Sequence, residues 1–139
     1  MSQFQKLSVT VATALLLTTS VTLADERYNP IKDDVVAKEC GACHMAFQPQ
    51  MLPKRSWVKI MMELPDHFGE DASLDAAVSQ QVEAYLVKNA ADSGWWGGKF
   101  MRGVKDDMTL LRITETPHWV HEHNEEVPAR AWKDPKVKS

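Results

Sequence analysis

Two thiols and an imidazole fall within five residues, Cys40-Gly41-Ala42-Cys43-His44, and the 139-residue sequence holds no other cysteine. Two cysteines three apart with a histidine directly after the second form the attachment pattern of a c-type haem. On a helix, residues three and four apart share a face, so both sulfurs and the imidazole would point the same way. The sulfurs can then add to the two vinyl groups on one porphyrin edge, and His44 sits under the iron as proximal ligand. Small Gly41 and Ala42 let a flat ring lie close to the backbone. Two other chemistries use this cysteine spacing. A thioredoxin-like dithiol follows a strand in a βαβ context that the chain lacks. A structural zinc site needs two more soft or imidazole ligands at compatible spacing. Haem c held by Cys40, Cys43 and His44 is the reading these residues support.

The sixth position on iron has several candidates, since four other histidines and seven methionines are present. His67 lies in a turn, Asp66-His67-Phe68-Gly69, from which it can reach over a haem seated near residue 44; a plain surface histidine would look the same. Met101 and Met108 lie about as far past the motif as the axial methionine of monohaem class I cytochromes, although methionines usually pack cores, as Met61 and Met62 should. Methionine ligation would raise the potential and a second histidine would keep it lower. His118 and His121, three apart, can hold an adventitious metal but read better as a solvated helix face. Arg55 and Lys54 are candidates to pair with haem propionates. Trp57 is expected on the porphyrin edge rather than in solvent, and Trp95 and Trp96 against the haem or core rather than on a docking patch.

The elements that must position these groups read as helices. Asp33 or Asp34 can cap a helix that starts at Val35 and runs through the Cys40–His44 segment. Trp57, Ile60, Met61 and Leu64 recur at the spacing of an amphipathic helix that Pro65 ends. Ser73 is placed to cap a long helix from Leu74 to Ala90, with Leu74, Val78, Val82, Tyr85 and Leu86 inward. Thr116 caps a helix with Pro117 in its first turn, carrying Trp119, His121 and His123 until Pro128. No run sustains strand alternation, so the expected class is all-α, a small cytochrome c-like helical domain wrapped around covalently bound haem.

The N-terminus reads differently. Lys6, the apolar run Leu7–Leu17 and the small residues ending at Thr22-Leu23-Ala24 make a signal peptide over residues 1–24, with an apolar stretch short for a membrane span. Export to the periplasm follows, with residues 25–139 as one cytochrome c domain. Losing Lys6 moves the net charge from −3 to −4. That balance argues against nucleic acid, which requires a basic footprint.

From the motif onward the chain resembles the dihaem cytochrome c family of bacterial periplasms. The resemblance rests on Cys40 to Phe47, Met51-Leu52-Pro53, Arg55-Ser56-Trp57, His67 to Asp75, Tyr85-Leu86, Asn89 to Asp92, and Arg112 to Pro117 with Trp119 and His123. It implies bis-histidine haems, with His67 and His123 as distal metal ligands alongside proximal His44. It also implies electron exchange with an oxygen-binding haem protein or a membrane b-type cytochrome, any membrane association being through such partners. A second Cys-x-x-Cys-His is implied shortly beyond Ser139, so the domain is expected to be incomplete at its C-terminus and His123 to serve that second haem. The resulting expectation is a non-enzymatic electron-transfer protein. The alternatives are a five-coordinate haem with gas-binding or peroxidase-like activity, and a methionine-ligated monohaem cytochrome.

Overall fold

A computed structural model describes residues 29–94 and 98–133; the expected leader, Trp95 and Trp96 lie outside them. Among the described residues the chain is all-α as expected, with four α-helices, several 3-10 turns and no strand.

The first helix, α1 (Asp34–Cys40), starts where the sequence places it. Asp33 is the N-cap, and its carboxylate accepts from the backbone N–H of Val35 and Val36 at 3.0 and 3.1 Å. Gln81 donates to the same carboxylate from across the fold. The Gln81 amide first, then the Val36 N–H, holds this carboxyl below its ordinary value. The expectation that α1 continues through His44 does not hold. The helix ends at Cys40, and Gly41 is its C-cap, donating its N–H to the carbonyl of Ala37. Cys43 and His44 are therefore delivered by a turn, and only Cys40 sits on the helix. Glycine's poor helix propensity accounts for the break.

The next helix, α2 (Lys54–Met62), buries Ser56, Trp57, Ile60 and Met61. Leu64 belongs to the 3-10 turn Leu64–Asp66 that follows, so the helix stops three residues before Pro65. The longest helix, α3 (Ala76–Lys88), is shorter than its sequence pattern suggests. Ser73 does not cap it but bonds to Asp71, and Asp75 holds the N-cap position without a side-chain bond. Val82 and Leu86 are buried while Leu74, Val78 and Tyr85 are half-buried, so the inward stripe is correct.

α3 packs against both α1 and α2. Val36, Leu52, Trp57, Ile60, Met61, Val82 and Leu86 form the centre of the core, and Phe100 and Ile113 extend it. Backbone bonds close the fold: Ala91 N–H donates to the carbonyl of Leu52, and Lys54 N–H to the carboxylate of Asp92. The last helix, α4 (Pro117–His121), is capped as expected by Thr116, which accepts from Trp119 N–H at 3.2 Å. A π-helical turn, Glu122–Glu126, continues it.

A Cβ added at Gly41 would lie 2.4 Å from the Ala37 carbonyl oxygen, inside any real contact. Gly41→Ala should therefore destabilise the protein by about 1–3 kcal/mol, the usual scale of such crowding. Denaturant unfolding checks this, and an unchanged midpoint would mean that the turn can reshape freely.

Candidate haem-binding site

The turn at residues 41–44 and the turn after α2 bring two imidazoles near one another with nearly parallel planes. The His44 and His67 rings lie 6.2 Å apart between centroids, with planes inclined by 18°. A metal–nitrogen bond is about 2.0–2.1 Å, and the ring centre lies roughly 1 Å further on. Two imidazoles ligating one metal from opposite sides therefore have centres about 6 Å apart.

Each ring is held by its own local geometry. His44 Nδ1 lies 2.8 Å from the carbonyl oxygen of Met45. A carbonyl only accepts, so Nδ1 carries the proton and the lone pair is on Nε2, the arrangement typical of a metal-bound histidine. His67 opens a tight turn in which its N–H donates to Glu70 and Glu70 N–H donates back, at 2.7 and 3.3 Å. The two residues between, Phe68 and Gly69, have φ of 58° and 99°. Both lie in the left-handed region that a mirror-type two-residue turn demands, which is natural for Gly69 and strained for Phe68. The strain places the Phe68 ring edge-on to His67 at 4.8 Å. Burial first, and then nearby His44, lowers the His67 pKa, favouring the neutral imidazole that metals bind.

The remaining donors fit the same group. Cys40 and Cys43 are both free thiols, not joined to each other. Burial and then Glu39 push the Cys40 thiol above its ordinary value, the opposite of an activated redox dithiol. Met45, Phe47 and Phe68 are 72%, 39% and 48% exposed, and Phe47 also touches His44 at 5.4 Å. An apolar rim around paired thiols and facing imidazoles is what a flat apolar macrocycle would cover.

Trp57 is buried rather than in solvent, and its Nε1 donates to the Pro49 carbonyl at 2.7 Å, fixing the loop that follows the attachment segment. Arg55 is tied to the backbone of a distant segment. Its Nε donates to the carbonyl of Met108 and one Nη to that of Lys105, at 2.6 and 2.7 Å. Those acceptors lie in an otherwise irregular segment that needs backbone partners, and they claim the guanidinium first. Sequence reading missed this tether because the irregular segment carries no periodic signal.

His123 lies elsewhere, with Nδ1 2.8 Å from the Trp119 carbonyl and its ring stacked on Trp119 at 3.9 Å. Of the pair expected on a solvated face, His121 is exposed but His118 is buried. His118 sits edge-on to Phe100 at 4.9 Å with Glu122 at 3.5 Å, because α4 turns that side toward Phe100. Among the described residues no group of three or more His, Cys, Asp or Glu is arranged to hold a metal ion. No described helix is long and apolar enough to cross a membrane.

A family model for dihaem cytochrome c matches residues 36–139. The chain belongs to the dihaem cytochrome c family. Among solved structures, it is similar to a dihaem cytochrome c from Rhodobacter sphaeroides, with 46% identity and a TM-score of 0.70, over 76% of this chain and 84% of that one. It is also similar to a dihaem cytochrome type c from Shewanella baltica OS155, with 33% identity and a TM-score of 0.58, over 79% of this chain and 76% of that one. No curated protein matches. Haem c as cofactor and the all-α fold follow from membership.

Burial is the main cause lowering the His118 pKa below its ordinary 6.5, with Glu122 opposing and Lys99, Arg102 and His121 adding to the shift. The folded protein thus resists a proton that the unfolded chain accepts, and stability should fall as pH drops below about 6.5. His118→Gln should flatten that fall, measured by denaturant midpoints at about pH 7 and pH 5; an equal fall in both proteins would contradict the assignment.

Proposed function

We propose that this chain is an electron-transfer cytochrome whose haem is tethered by Cys40 and Cys43 and ligated axially by His44 and His67. The observation that carries the reading is the facing of those two rings at 6.2 Å and 18°. When bound, the haem supplies a one-electron couple between ferric and ferrous iron. The chain's own residues hold it. The Met45 carbonyl fixes the His44 tautomer, the His67–Glu70 turn aims the second imidazole, and Met45, Phe47 and Phe68 exclude water from the ring faces. Two strong axial ligands leave no open position on iron, which makes the protein a carrier of electrons rather than an enzyme or gas sensor.

In this reading residues 1–24 direct export to the periplasm. Redox partners are haem proteins, an oxygen-binding one or a membrane b-type cytochrome. His123, whose Nδ1 is fixed by the Trp119 carbonyl and whose ring stacks on Trp119, is the distal ligand of a second haem.

His67→Ala should give a high-spin ferric fraction and carbon monoxide binding after reduction, while His123→Ala leaves the haem at Cys40 and Cys43 low-spin. Optical spectra of the purified holoproteins decide it. Low-spin spectra in both variants would point to a methionine ligand, and the reverse pattern to His123 on this haem.

A further inference from the structure

Beside His67 lies a cleft of about 360 Å³, lined among others by Ile60, Glu63, His67, Phe68, Leu111 and Arg112. Arg112 is the one lysine or arginine on its wall. Its guanidinium lies over the Phe68 ring, 4.2 Å from the centroid, and the same ring meets His67 edge-on at 4.8 Å. Arginine, aromatic and imidazole thus form one continuous chain of contacts leading away from the His44–His67 pair.

The acidic neighbours in the cleft are already engaged. Glu63 pairs with Lys59, and Asp66 accepts from Gly69 N–H. Arg112 meets Glu115 at 3.8 Å with both side chains about half exposed, a contact at the weak end of ion pairing. A guanidinium stacked on a ring face keeps its N–H donors in its own plane, where they match a carboxylate in bidentate fashion. Arg55 completes the arrangement indirectly. By holding the carbonyls of Lys105 and Met108 it anchors the segment that brings Leu111 and Arg112 to the cleft. Haem c carries two carboxylates on the edge away from its thioethers.

We propose that Arg112 is the residue that binds a haem propionate, stacked on Phe68 beside the His67 ligand, and that Arg55 is a positioning residue for it. The assignment rests on His67 being the distal ligand. It gives the carboxylate role to the guanidinium that faces the cleft rather than to Arg55, which spends its Nε and one Nη on backbone carbonyls.

The test uses the holoprotein and three variants, read by resonance Raman in the propionate-bending region and by the midpoint potential. Arg112→Gln should shift the propionate-bending band and lower the potential, because a positive charge that disfavours ferric iron is lost. Arg112→Lys should recover most of both, and all forms should stay low-spin. Arg55→Gln should broaden or partly shift the same band through a loosened segment. An unchanged band in Arg112→Gln overturns the proposal. So does a high-spin spectrum in that variant, which would make Arg112 a support for His67 and not a propionate partner. A parent protein that is high-spin, or that stays low-spin after His67→Ala, would instead defeat the ligand reading beneath it.

Discussion

Everything in this molecule depends on two imidazoles being held apart at a fixed distance. Left to themselves, His44 and His67 have no reason to face one another at 6.2 Å, too far for a hydrogen bond or a close stack. Burial and the nearby His44 even work against the protonation of His67. The spacing makes sense as a site shaped for a third party, and the fold enforces it from both sides. Gly41 ends α1 early enough for a turn to carry His44 outward, and the paired bonds between His67 and Glu70 fix the opposing ring. Phe68 accepts a left-handed backbone to keep that turn tight, at a cost of order 1–3 kcal/mol.

The helices serve this geometry more than they form a self-sufficient core. Buried apolar residues gather where α3 meets α1 and α2, yet Met45, Phe47 and Phe68 around the site stay well exposed. Covering a side chain of that size completely is worth about 1.5–3 kcal/mol, so a haem over this rim contributes as a further piece of the core. In the proposed reading, folding and cofactor attachment are coupled by the same surface. Farther from the site, Arg55 and Trp57 act through backbone carbonyls: one ties down residues 105–108 and the other pins Pro49 beside the attachment loop.

Much of this could be read from the sequence, and the exceptions have physical causes. The attachment motif, the Asp33 and Thr116 caps, the inward stripes of α2 and α3, and the His67 turn all follow from short-range rules of spacing and capping. The helix through His44 failed because a local glycine outweighed the periodic pattern. Ser73 lost its capping role to a nearer partner, Asp71. The Arg55 tether and the burial of His118 join residues far apart in the chain or meet only in the packed fold. No local pattern encodes them.

The central claim is that His44 and His67 ligate one iron with nearly parallel ring planes. Electron paramagnetic resonance of the ferric protein at low temperature tests it directly, since the relative orientation of two axial imidazoles controls the anisotropy of low-spin iron. Planes inclined by 18° predict a rhombic low-spin spectrum with three resolved features, abolished by His67→Ala. A high-spin axial signal, or the single strongly anisotropic low-spin feature of perpendicular rings, would contradict it.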